Sequence, residues 1–179
     1  TDADDDLYFV SAGPARNSGF FTNIGTTRRQ GVELSLNGQT GRVTWFGHYT
    51  FTDATFQSFN EDQFIGNTPA INSPNHPAAG TGGVGETEIP VEAGTRLPLT
   101  PCHVAKAGVD VMVVGGLTLG TSATYTGAQF FRGDEGNLLD ELDGYTVIDL
   151  RARYAVYRGF EVFGVVTNVF DTEHAMARL

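Results

Sequence analysis

The sequence predicts an all-β fold, a segment of an antiparallel transmembrane β-barrel, and two observations carry that reading. Long stretches alternate apolar and polar residues, and very short turns join them at one end while long Gly/Pro/acidic connections join them at the other. Membrane-spanning barrels have that asymmetry. The clearest stretch is Leu117 to Tyr125. There Leu117, Leu119, Thr121, Ala123 and Tyr125 share one face, suited to lipid, and Thr118, Gly120, Ser122 and Thr124 share the other, suited to water.

Period-2 alternation places about seven strands in order: Leu7 to Val10, Phe21 to Asn37, Arg42 to Gln57, His103 to Val113, Leu117 to Phe130, Tyr145 to Val156 and Phe160 to Phe170. Tight turns fall at Gly38 to Gly41, at Gly115 and Gly116, and at Tyr157 to Gly159. Long connections cover Ser11 to Gly19, Ser58 to Pro101 and Arg132 to Gly144. A structureless connection as long as Ser58 to Pro101 is foreign to a small soluble sandwich and fits an external loop. Within the third strand, Trp45, Gly47, Tyr49 and Phe51 would face lipid. Thr44, His48, Thr50 and Thr52 would face a lumen, with Phe46 as an apolar exception. Ile148, Leu150, Ala152 and Tyr154 alternate with Asp149, Arg151 and Arg153 in the same way. Aromatic girdles are expected from Trp45, Tyr154, Tyr157 and Phe160 beside the short turns, and from Phe130, Phe131 and Tyr145 beside the long connections.

Composition narrows the function. At 179 residues the chain could bury one core, but it has no apolar run long enough for a transmembrane helix. Twenty-one acidic against eleven basic residues give a net charge of -10, the wrong sign for nucleic acid or an anionic lipid surface. Cys102 is the only cysteine, so no intrachain disulfide forms, and a passive role is expected for it. No targeting signal is visible at Thr1. Seven strands cannot close a bacterial barrel, which needs an even number and no open edge in hydrocarbon, so the chain is expected to be part of a larger barrel.

Motifs that would signal other chemistry lack their context. Gly80-Thr81-Gly82-Gly83-Val84-Gly85 satisfies G-x-G-x-x-G but sits among prolines instead of between a strand and a helix, and reads as loop. Asp2, Asp4 and Asp6 copy the start of a calcium loop, yet Leu7 stands where its glycine belongs. Asp134 and Glu135 read as solvated loop carboxylates. His48, His76, His103 and His174 are too dispersed for a close metal-ligand pair. No nucleophile elbow or metalloprotease signature occurs. The sequence therefore predicts no catalytic residues, no metal site and no cofactor.

Several local patterns together resemble the C-terminal barrel segment of TonB-dependent outer-membrane receptors, over roughly Phe20 to Asp171. They are Arg29-Gln30-Gly31-Val32-Glu33-Leu34, Tyr49-Thr50-Phe51-Thr52-Asp53-Ala54, Gly94-Thr95-Arg96-Leu97-Pro98-Leu99-Thr100-Pro101-Cys102-His103, Gly133-Asp134-Glu135-Gly136-Asn137, Gly144-Tyr145-Thr146-Val147 and Asn168-Val169-Phe170-Asp171. Cys102 departs from a position where a basic residue is common, and Glu173-His174 replaces the usual aromatic. The resemblance implies a barrel of about 22 strands occluded by a plug. The plug, the TonB box and the closing strand are missing from this chain. It further implies active uptake of a scarce nutrient, most commonly a ferric siderophore, with outer-membrane lipid, the TonB complex and a small-molecule iron chelate as partners. Flat apolar chelates favour aromatic and Arg contacts at the outer mouth, which points to Arg96, Phe130, Phe131 and Arg132. The alternatives are a passive porin-like channel, without plug or TonB box, and a secreted soluble β-sandwich with a closed core.

Overall fold

The computed structural model describes residues 1–4, 6–11, 19–23, 25–58, 91–131, 136–137, 139–157 and 159–173. They form nine strands: β1 (Asp2–Ala3), β2 (Leu7–Ser11), β3 (Gly19–Asn23), β4 (Thr27–Thr40), β5 (Val43–Phe56), β6 (His103–Met112), β7 (Leu117–Thr126), β8 (Tyr145–Tyr157) and β9 (Phe160–Val166). The principal sheet runs β1-β4-β5-β6-β7-β8-β9, and β2 and β3 make a separate hairpin. Every pairing is antiparallel. From β4 to β9 the strands pair in sequence order, the up-and-down arrangement that hairpin connections dictate.

The expected strand from Phe21 to Asn37 is two strands, because Gly25 takes a left-handed backbone (φ 82) that no ladder accommodates. β4 then runs through Gly38 to Thr40, so the first hairpin turn is only Gly41 and Arg42. β7 stops at Thr126, short of Phe130, and β9 stops at Val166, short of Phe170. The β9 difference has a local cause. Asn168 and Asp171 both adopt left-handed backbone (φ 51 each). The Asn168 carboxamide accepts from Thr172 N at 2.9 Å and donates to the Thr172 carbonyl at 3.1 Å, closing a turn that short polar side chains tolerate best.

The register assigns each side chain to a face. Trp45, Val109, Thr121, Leu150 and Val166 form one cross-strand row, and Leu36, Gly47, Ala107, Ala123 and Ile148 another. Large apolar side chains on this face are exposed, Leu36 at 65%. The opposite face carries the rows Thr44, Asp110, Gly120, Arg151 and Ser35, His48, Lys106, Thr124, Val147. Val43 to Phe51 alone spreads the apolar band over roughly 26 Å of strand, enough to cross a hydrocarbon layer when tilted.

Among the described residues, the buried apolar cluster lies at the end of the long connections, where Ala54 and Phe56 are buried with Val91 and Leu97. The segment 94–102 extends the sheet there. Phe56 N donates to the Thr95 carbonyl and Leu97 N to the Ala54 carbonyl, both at 2.9 Å. At the same end the N-terminal carboxylates are spent on β4: Asp2 grips Arg28 through two hydrogen bonds (2.8 and 2.9 Å), and Asp6 accepts from buried Thr27 at 2.7 Å. The hydrogen bond from Arg28 holds the Asp2 carboxyl below the usual carboxylate range. A lowered folded-state pKa stabilises above the unfolded value and is lost as pH falls through the lowered one. Protection of the Arg29 amide, which donates to Thr1 O at 2.9 Å, measured as its exchange relative to an unstructured chain at the same pH, is therefore expected to fall below about pH 4. Unchanged protection there would show that the ion pair does not hold β1.

Candidate functional site

The polar face is built by side chains that reach across strands onto glycine. Asp110 on β6 and Arg151 on β8 form a two-point ion pair, both contacts 2.7 Å, directly over Gly120 on the intervening β7. Any Cβ at Gly120 would strike Asp110 Oδ1 and come within 2.7 Å of Arg151 Nε. The Arg151 guanidinium also donates to buried Ser122 at 3.4 Å. Phe46, the apolar exception on this face, lies across Gly108, where an added Cβ would stand 2.5 Å from its ring. His48 shares a 3.0 Å hydrogen bond with Ser35 on the neighbouring strand. Toward the short turns, Thr44, Asp110, Arg151, Arg153, Phe163 and Val165 help to line a concavity of about 390 Å³. Phe163 and Val165 make β9 apolar on both faces, where alternation fails.

The apolar face carries aromatics at two levels. Trp45 covers Gly38, and Tyr154, Tyr157 and Phe160 stand exposed beside the short turns. At the opposite level the expectation needs correction. Tyr145 sits in the polar-face row with Thr126, Val104 and Thr50. The girdle positions there belong to Tyr49, Tyr125 and Phe51, and Tyr49 shares a 2.9 Å hydrogen bond with His103. The signal was in the strand itself: alternation back from Asp149, Arg151 and Arg153 already puts Tyr145 on their face, and its pairing with Thr126 agrees.

Of the sequence-predicted contact residues, Arg96 and Phe130 are brought together, with the guanidinium 5.7 Å from the ring centroid. Phe131 is half-buried next to Phe130 in sequence. Arg132 lies outside the described residues, as do His76, His174, Asp134, Glu135 and Gly80 to Gly85. Arg96 is heavily engaged. Its guanidinium donates to Glu141 at 2.8 Å and to Cys102 Sγ at 2.6 Å. Its backbone exchanges two hydrogen bonds with the Asn137 carboxamide, at 2.7 and 3.0 Å. One residue thus fastens the return of the long connection to the loop between β7 and β8. Asn137→Ala is expected to cost about 1–2 kcal/mol and to raise amide exchange at residues 94–97, measured by hydrogen–deuterium exchange. Unaltered exchange would mean that the Arg96–Glu141 pair alone suffices. Among the described residues no group of three His, Cys, Asp or Glu side chains is placed to hold a metal ion.

An antiparallel wall with one apolar face, one polar face, tight turns at one end and long connections at the other is the wall of a membrane-spanning β-barrel. The apolar face is its lipid side and the polar face its lumen side. The chain belongs to the TonB dependent receptor-like β-barrel family, whose profile matches residues 1–169, and it is part of an outer-membrane barrel. It is 30% identical over 164 residues to the ferrichrome outer membrane transporter/phage receptor of Escherichia coli (strain K12), matching 87% of this chain and 18% of that protein. Its backbone resembles the siderophore receptor PiuA from Acinetobacter baumannii with a TM-score of 0.63 at 21% identity, over 93% of this chain and 20% of that one. It also resembles the ferric-catecholate import receptor Fiu from E. coli K12, with a TM-score of 0.59 at 21% identity, over 97% of this chain and 20% of that one. The copper transporter OprC gives 0.61 at 19% identity, over 97% and 22%. The chain therefore spans about a fifth of the length of the proteins it matches. The family is one of receptors and transporters, not of enzymes.

Proposed function

We propose that the intact protein is a TonB-dependent receptor that actively imports a ferric siderophore across the outer membrane. The observation that carries this reading is the 30% identity to a ferrichrome transporter over nearly the whole chain. This chain supplies one sector of the barrel wall. A plug domain, the TonB-coupling segment and the remaining strands, including the closing one, belong to the rest of the protein, and TonB is the inner-membrane partner. The lumen concavity lined by Arg153, Phe163 and Val165 is a surface for the plug. Arg96, Phe130, Phe131 and Arg132 are contacts for the incoming chelate at the outer mouth, a reading supported by the Arg96–Phe130 stack.

Uptake of radiolabelled iron tests the proposal. In a strain lacking the gene, transport of one ferric hydroxamate or ferric catecholate is expected to fall to background, to return with the intact gene and to require TonB. Complemented uptake that persists without TonB would point to a passive channel. Unchanged uptake of every chelate would remove the siderophore assignment.

A further inference from the structure

We propose that the turn between β6 and β7 does not stand in the periplasm but is inserted into the inner, phospholipid leaflet of the outer membrane. The residues at this turn are Met112-Val113-Val114-Gly115-Gly116-Leu117. Hairpin turns that face water are built from polar residues, and consecutive exposed apolar residues at a turn are otherwise an aggregation liability. Here Val114 is 71% exposed and Val113 40%. The neighbouring turn between β8 and β9 is flanked by Tyr157 and Phe160, exposed at 69% and 65%. The two turns adjoin, since Ala155 N donates to the Gly116 carbonyl at 3.1 Å. With Leu117 and its cross-strand partner Tyr154, these side chains make one apolar rim.

The rim is continuous with the lipid face, and this selects lipid over a protein as its occupant. Val111 and Leu119, paired across β6 and β7, lead the lipid-facing row directly into Val113 and Leu117. Part of the backbone is paired within the protein, which lowers the cost of entering a medium where each unpaired amide or carbonyl is costly. Val113 N donates to the Leu117 carbonyl at 2.8 Å and Leu117 N to the Val114 carbonyl at 2.9 Å. The Arg42 guanidinium, from the adjacent hairpin turn, donates to the Val113 carbonyl at 3.1 Å. Gly115 and Gly116, at φ 57 and 88, let the chain reverse without a polar turn residue. Arg42 is long enough to keep its charge at headgroup level while its stem lies along the rim.

Spin labelling of the intact receptor in phospholipid bilayers tests this, with Cys102→Ser as background and single cysteines at Val114, Leu119 and Glu92. Leu119 reports the lipid face and exposed Glu92 the aqueous outer side. A Val114 label is expected to behave like one at Leu119, with relaxation enhanced several-fold more by oxygen than by a water-soluble nickel chelate. Chelate accessibility equal to that at Glu92 would place the turn in water and overturn the proposal. Protection from both reagents would overturn it equally, by showing a protein over the turn. A far-ultraviolet circular-dichroism spectrum matching that of the unlabelled receptor verifies that each single-cysteine variant is folded.

Discussion

Ala107→Arg is expected to destabilise the intact receptor in a bilayer by about 2–4 kcal/mol, the cost of a cation on the lipid face near the bilayer midplane. Ala107 lies in the middle of the apolar band, in the row with Leu36, Gly47, Ala123 and Ile148. Lys106, one residue earlier, already carries a charge, but in the row with Ser35, His48 and Thr124 on the lumen side. Lys106→Arg is therefore expected to change stability by no more than about 0.5 kcal/mol, as surface substitutions generally do. Urea titration of receptor folded into phospholipid vesicles measures both. Equal penalties at the two positions would mean that the faces have been assigned wrongly, since a one-residue slip of register reverses every side chain.

Gly120→Val is expected to cost a further kind of energy, about 1–3 kcal/mol of overpacking. The added side chain would occupy the space in which Asp110 and Arg151 meet, driving apart a pair whose side chains are each 32% exposed. The penalty should depend on that pair. In an Arg151→Met, Asp110→Asn background, the space above Gly120 holds no two-point ion pair, and Gly120→Val should cost measurably less. Such non-additivity is what side chains sharing one site produce. The same penalty in both backgrounds would show that the clash is with backbone and that the ion pair is incidental.

Much of this architecture was legible because it is local. The alternation in Leu117 to Tyr125 and in Ile148 to Tyr154 fixed which residues share a face, and Gly115-Gly116 marked a hairpin without any tertiary information. Strand ends were less legible. Asn168-Val169-Phe170 reads as a continuation of β9, yet left-handed residues at Asn168 and Asp171 make it a turn, a state that short polar side chains permit but do not announce. The candidate outer-mouth residues were only partly legible. Arg96 and Phe130 stand out as residue types, but Asn137 and Glu141, which hold Arg96, are ordinary loop residues until the fold brings them 41 and 45 positions back along the chain.

The sequence by itself determined the order of the strands from β4 to β9, the two faces and the asymmetry between short turns and long connections, because period-2 alternation and glycine turns act over a few residues. The pairing of β1 with β4 and the separate β2–β3 hairpin were not legible. Only the tertiary structure decided why Phe46 can face the lumen and why Gly120 must be glycine. Each depends on which residue of another strand stands alongside, and that is set by the register of the whole sheet.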